Sequence, residues 1–332
     1  MSATLHWREH ARSSSTVCGA NSAFATFVSG DKYVPGAVCL RRSLHAAGSH
    51  CPMDLIYDDR SPEHNLSAPA LSLLATAYGE DRLFSLARLM SDHPTSMADM
   101  EYAMPPSKRL RRAPAKGGRR LFERGREHMA THAKLWFWSL PRARSVLLDS
   151  DMVVRGSLDW LTTFALDERE VGAAAVVRPK GRTFFNSGVM VIQPNARRLH
   201  NLTAIARSAR SGTVLDDQGE KQNVTAPIGE KLFGDQSLLN LYFRRRWRPL
   251  PQSTMVAAPS RINVDPVRVL AADPAVVHFL SEPKPWLRSA LRIDPSTRQP
   301  VGGLSKLSGQ AKLWWELCAD KVGEVPARAL GR

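Results

Sequence analysis

The chain has 332 residues and is poor in cysteine, with four, and in tyrosine, with five. Cys18, Cys39, Cys51 and Cys318 lack the paired spacing of a zinc site and are too sparse for a disulfide framework. The expectation is therefore reduced thiols in a cytoplasmic protein. No apolar run approaches the ~18 residues that a membrane span needs, so no membrane span is expected in this sequence. Met1 to Gly19 carries Arg8, Glu9 and Arg12 where a signal peptide would be apolar, and a soluble chain not secreted by that route is expected. Three glycosylation sequons, at Asn65, Asn201 and Asn223, pull the other way, although so short a pattern recurs by chance. With 43% hydrophobic residues the chain can bury a large core, which excludes an intrinsically disordered protein.

Acid is also in short supply. Lys and Arg number 46 against 31 Asp and Glu, a net charge of +15. Much of the excess sits between Lys108 and Arg126, where nine basic residues face the single acid Glu123. Pro105, Pro106, Pro114, Gly117 and Gly118 lie in or beside that stretch, so it reads as a solvated mobile loop inserted in a folded domain. Such a loop could also draw in an anionic substrate, or bind nucleic acid or an anionic surface. Its aromatics do not interleave with the charges as stacking platforms would, which makes nucleic acid an unfavoured partner.

What the chain does have is an alternating pattern. Ala23 to Val28 reads as a buried strand, Ser29-Gly30-Asp31 as a turn, and Tyr33 to Ala47 as a helix with Pro35 near its start and Gly48 after its end. A strand at Met53 to Tyr57 follows, then a helix over Leu66 to Tyr78, a short apolar run at Leu83 to Leu86, and a helix from Met129 to Leu140. The next strand ends at Asp149, and others are expected at Val171 to Val177, Gly188 to Ile192 and Val276 to Leu280. A last helix covers Gln310 to Cys318. Strands alternating with helices predict an α/β fold with a mainly parallel sheet, whose ligands bind beyond the carboxyl ends of the strands.

At one such end stands Asp149-Ser150-Asp151. Two carboxylates one residue apart on an extended backbone point to the same side and repel each other unless a cation or hydrogen bonds compensate. A hard divalent ion that also bridges phosphates is one compensation; capping a helix is the plainer role of such a pair.

Six segments in order resemble a known family. They are Thr26 to Ala37 (TFVSGDKYVPGA), Thr131 to Leu135 (THAKL), Leu148 to Asp151 (LDSD), Phe185 to Val189 (FNSGV), Gly234 to Asn240 (GDQSLLN), and Val276 to Leu280 (VVHFL) with Lys284-Pro285-Trp286. Together they resemble glycosyltransferase family 8, the glycogenin-like transferases. The resemblance implies a GT-A fold over about residues 21–290, with insertions near 92–128 and 205–232, a disordered segment at 1–20 and an extension at 291–332 with one helix. It also implies a UDP-sugar donor, Mn²⁺, and transfer with retention of configuration.

The residue roles follow from the same resemblance. Asp149, Asp151 and His278 are the implied metal ligands, a mixed oxygen and nitrogen set that suits Mn²⁺. Phe27, Ser29 and Tyr33 fall where the base and ribose are held, with Ser150 near the ribose. Lys284 corresponds to a phosphate contact, and Asn186 and Ser187, before Gly188, correspond to sugar contacts. Lys134, Asp235 and Gln236 are the implied catalytic group, Asp235 serving either as a nucleophile or as a stabiliser of positive charge during front-face attack. The chain departs from the family in one respect that bears on the acceptor. Family members that glucosylate themselves do so on a tyrosine between the Asp-Gln and His-Phe motifs, whereas the last tyrosine here is Tyr242. The acceptor is therefore expected to be another molecule. A non-catalytic nucleotide-sugar binder of the same fold is the alternative.

Overall fold

The computed structural model describes residues 18–60, 64–96, 131–177, 183–208, 213–215, 221–223, 235–244, 246–258, 273–280, 284–287 and 309–318. In chain order the strands are β1 (Ser22–Val28), β2 (Met53–Tyr57), β3 (Leu83–Ser85), β4 (Arg144–Leu148), β5 (Met152–Val154), β6 (Val171–Val177), β7 (Thr183–Ile192), β8 (Thr213–Leu215), β9 (Lys221–Asn223), β10 (Trp247–Leu250), β11 (Met255–Ala258) and β12 (Val276–Phe279). The helices are α1 (Val34–Ala46), α2 (Ala68–Tyr78), α3 (Leu86–Ser91), α4 (Ala196–Ser208), α5 (Asp235–Tyr242) and α6 (Gly309–Cys318).

A seven-stranded sheet in the order β10-β6-β7-β4-β1-β2-β3 forms the centre. β1 runs parallel to both β2 and β4, with Phe24 opposite Met53 and Val146. Only β7 is antiparallel to its neighbours, so the sheet is mainly parallel, as the alternation predicts. Successive residues of β1 and β4 face opposite sides. Phe24, Val28, Val146 and Leu148 enter one buried cluster with Leu40, Leu44 and Leu74, and Ala25 and Leu147 enter another with Trp136, Trp138 and Phe243. Fully buried strands with apolar residues on both faces are what makes β1 and β4 legible as central strands.

Helix ends follow local chemistry. Pro35 stands in the first turn of α1, where its missing N–H is no loss. Ser67 caps α2 by accepting a hydrogen bond from the Ala70 amide at 3.3 Å, and Gly79, at φ +96°, ends it in a conformation unfavourable for other residues. The segment expected as a helix from Met129 to Leu140 is instead a run of 3-10 turns over Thr131–Ser139. Its apolar residues lie all around, with Ala133, Leu135, Trp136 and Trp138 buried, so no single helical face dominates. A second sheet, β11-β12-β5, was not expected from sequence; β12 pairs parallel with β11 and antiparallel with β5. β8 and β9 pair within the expected second insertion. The N-terminal segment expected to be disordered lies almost entirely outside the described residues, as do most of the first insertion, its basic stretch Lys108 to Arg126, and residues 291–308.

The cysteine expectation is overturned. Cys18 is bonded to Cys51, with Cα atoms 5.4 Å apart, and Cys39 to Cys318, at 5.8 Å. None of the four is free. Spacing failed as a guide because the partners in the second pair are separated by 279 positions and meet only when α6 packs on α1. The cytoplasmic placement loses the support it drew from reduced thiols. No helix among the described residues is long and apolar enough to cross a membrane.

Asp54 of β2 is fully buried and depends on Arg142, which donates from Nε and Nη2 at 2.7 and 2.8 Å; Arg82 stands 3.5 Å away. Removing one partner of a buried pair leaves an uncompensated charge. Arg142→Ala is therefore expected to destabilise the fold by about 3 kcal/mol, measured by chemical denaturation. An unchanged midpoint would contradict this account of Asp54.

Candidate active site

Asp149, Ser150 and Asp151 form a turn between β4 and β5, not the extended segment that their spacing suggested. The Asp149 amide donates to the Gly188 carbonyl at 3.0 Å, and the Phe279 amide donates to the Asp151 carbonyl at 2.9 Å, so the turn is tied to β7 on one side and β12 on the other. Pairing of β12 with β5 sets His278 opposite Met152 and brings its ring to Asp151. His278 Nε2 lies 3.0 Å from Asp151 Oδ1 and 3.5 Å from Asp149 Oδ2. Ligand atoms of all three residues fall within 4.8 Å of one another.

The residues present fit a divalent ion. Asp151 Oδ1 is buried and makes no hydrogen bond of good geometry, although it faces an imidazole nitrogen. Two carboxylates and one imidazole form a mixed hard and borderline donor set of the kind that Mn²⁺ accepts.

Positive charge approaches the acids from two sides. Lys134 Nζ donates to Asp149 Oδ1 at 2.6 Å and stands 3.7 Å from Asp235 Oδ2, while Lys284 Nζ donates to Asp151 Oδ2 at 2.7 Å and to the Phe279 carbonyl at 3.2 Å. Burial pushes the Asp149 carboxyl up, an effect opposed by Lys134 and His278 and reinforced by Asp151 and Asp235. Burial also acts on Asp151, but the His278 ring and the Lys284 ammonium outweigh it and hold this carboxyl well below the usual range. Burial pulls Lys134 down, yet Asp149 and Asp235 outweigh it and raise its pKa. Lys134 is a cation at neutral pH.

Asp235 and Gln236 open α5, and both reach β7. Ser187 Oγ donates to Asp235 Oδ2 at 2.9 Å, and the Ser187 amide donates to Gln236 Oε1 at 3.3 Å. One turn later Asn240 exchanges two hydrogen bonds with the Phe185 backbone, each 2.8 Å, fixing α5 against the strand. Asn186 turns its side-chain oxygen back to the Gly188 amide at 2.8 Å. The glycine answers a crowding within the protein: a Cβ there would stand 2.6 Å from His278 Cε1 and 2.6 Å from the Met152 methyl.

Phe27 lies at the end of β1, and Ser29 and Tyr33 in the turn after it. Phe27 and Tyr33 are half-buried, Ser29 and Ser150 are buried, and Gly30 adopts φ +75° to let the chain turn. Ser29 Oγ is 3.0 Å from His64 Nδ1. Trp286 Nε1 donates to the Lys32 carbonyl at 2.7 Å, and a Cβ on Gly36 would come within 2.5 Å of the Trp286 ring, so the Lys284 segment presses closely on the start of α1.

The structure thus brings Lys134, Asp149, Asp151, Ser187, Asp235, Gln236, His278 and Lys284 into one connected cluster, with Asn186 and Ser150 within the same backbone segments; Phe27, Ser29 and Tyr33 stand at and after the carboxyl end of β1, the strand next to β4. Sequence reasoning missed His64, which no local pattern marks, and the Asp58–Arg60 pair beyond β2, joined at 2.8 Å by Arg60 Nε and Nη2. Asp58 stands at the next strand's carboxyl end, a position that could have drawn attention to it.

Comparison with known proteins places the chain in a family. The Glycosyl transferase family 8 model matches residues 31–290. Glycogenin of Neurospora crassa is 24% identical over 294 residues, 88% of this chain and 34% of that protein. Glycogenin-1 of Oryctolagus cuniculus is 26% identical over 311 residues, 91% of this chain and 77% of that protein. The chain therefore spans about a third of the first relative's length and about three quarters of the second's. Among solved structures, the bifunctional glycosyltransferase WbbM superposes with a TM-score of 0.54 at 15% identity, covering 93% of this chain and 50% of that one. The glycosyltransferase GlyE of Streptococcus pneumoniae gives 0.50 at 15% identity, covering 93% and 65%.

Because Gly188 makes room for His278, Gly188→Ala is expected to displace the ring and weaken Mn²⁺ binding tenfold or more, as the loss of a ligand-orienting contact does. Electron paramagnetic resonance titration of free Mn²⁺ measures this. Native affinity in the variant would contradict the role given to the glycine.

Proposed function

This chain belongs to glycosyl transferase family 8, and on that premise we propose that it is a metal-dependent, retaining glycosyltransferase that moves a hexose from a UDP-sugar to an acceptor other than itself. The observation that carries the reading is the convergence of Asp149, Asp151 and His278 beside two lysines and Asp235. The transferase unit is taken as residues 21–290, with the C-terminal helix packed back on it.

Transfer leaves negative charge on the departing diphosphate. Asp149, Asp151 and His278 would hold Mn²⁺, which supplies Lewis-acid stabilisation of that leaving group. Lys284 adds a buried cation that can shift from Asp151 to a phosphate oxygen over a short distance. Ser29, with Phe27 and Tyr33 around it, offers a hydroxyl and ring faces for a base and ribose. Ser150 would border the ribose. Asn186, Ser187 and Gln236 would orient the sugar through hydrogen bonds. Asp235, its Oδ2 held by Ser187 and Lys134, would supply a fixed negative charge to steady positive charge at the anomeric carbon. Lys134 keeps Asp149 and Asp235 from repelling each other before the donor arrives.

A non-catalytic binder would not need this full set. The direct test is to incubate the protein with Mn²⁺ and a panel of UDP-sugars and to follow UDP release with and without candidate acceptors. Release that is metal-dependent and stimulated by an acceptor is expected; binding of UDP without turnover of any donor would favour the binder.

Asp151→Ala is expected to lower turnover by about a thousandfold or more, since it removes several kcal/mol of leaving-group stabilisation. It should weaken UDP binding in Mn²⁺ far more than in chelator, read by calorimetry. A variant that retains most activity would remove this metal site from the mechanism.

No tyrosine follows Tyr242, so intact-mass measurement after incubation with donor and Mn²⁺ is expected to find no sugar on residues 243–332. A ladder of hexose additions in that segment would contradict transfer to a separate acceptor.

A further inference from the structure

We propose that this chain matures with all four cysteines cross-linked, in an oxidising compartment, and that the Cys39–Cys318 bond is a clamp on the segment that carries Lys284. Both pairs stand at Cα separations suited to disulfides, 5.4 and 5.8 Å, and Cys39, Cys51 and Cys318 are buried. Two such pairs using every cysteine of the chain are unusual for a protein kept in a reducing cytosol. Asn65, in the sequon Asn65-Leu66-Ser67, is exposed just before α2, and such sequons are glycosylated in some oxidising compartments.

The second bond reaches the candidate site. Cys39 lies one turn after Gly36 on α1, and Gly36 packs against Trp286. Cys318 ends α6, whose Trp314 lies against the same Trp286, the ring centroids 5.2 Å apart and the planes tilted by 48°. Trp286 is thereby held between two helices that the disulfide fastens together. Two residues before it, Lys284 donates to Asp151. Each bond forms when two thiols lose two protons and two electrons to the disulfide of a thiol–disulfide oxidoreductase, which becomes a dithiol.

The cross-links stand independently of the functional reading, whereas the clamp's effect on donor binding rests on it. The full chain would be produced through an oxidising secretory lumen and in a reducing cytosol, and unfolded samples alkylated before and after reduction. The lumenal protein is expected to contain no reactive thiol before reduction and four after it, with peptides joining residue 18 to 51 and 39 to 318. It should also melt higher than the cytosolic protein. Four free thiols in folded protein from both hosts, with equal Tm, would overturn the proposal.

The double variant Cys39→Ala, Cys318→Ala is expected to lose roughly 5–15 °C of Tm and to bind UDP with Mn²⁺ fivefold or more weakly, measured below its Tm. Unchanged UDP affinity in that variant would overturn the clamp. If the native protein does not bind UDP at all, the functional reading fails while the thiol count still decides the cross-links.

Discussion

Asp149, Asp151 and Asp235 bring three carboxylates to one largely buried place, and such crowding is unfavourable unless positive charge answers it. Much of the architecture around them supplies that charge. The 3-10 segment delivers Lys134 between Asp149 and Asp235, and the stretch after β12 delivers Lys284 to Asp151. Two ammonium groups against three carboxylates leave the cluster one positive charge short, so a bound cation complements it.

That cluster depends on elements far apart in sequence. β4 and β5 hold the acidic turn, β12 sets the histidine by pairing with β5, and Asn240 ties α5 to β7 so that Asp235 meets Ser187. Gly188 and Gly36 work in the same sense. Each removes a side chain where two parts of the site must touch, the first under His278 and the second under Trp286. The disulfide between α1 and α6 adds a covalent link behind Trp286.

Much of the fold was legible because β1, β2 and β4 are buried on both faces and their helices carry local caps and stops. Ser67 and Gly79 bound α2 by chemistry that any reader of the sequence can recognise. The α/β class with a mainly parallel sheet followed from those elements, and the family followed from six short segments in order. Other features were hidden for physical reasons. β5, three residues long, becomes a strand only because β12 pairs with it. The acidic pair converges through a turn held by Gly188 and Phe279, not through strand geometry. Gly188 is named in sequence only as the residue after the two sugar contacts, while its neighbours in space are His278 and Met152. The disulfides join residues whose separation carries no signal, so the cysteines looked unpaired until α6 was seen against α1.

The account turns on whether Asp149, Asp151 and His278 hold the metal that meets the donor diphosphate. Crystals of the native protein grown with Mn²⁺ and UDP, measured near the manganese absorption edge, test this most directly. The account predicts one strong anomalous peak bounded by those three side chains and in contact with both phosphates. UDP bound in the cleft with no peak there, or with manganese held elsewhere, would contradict it.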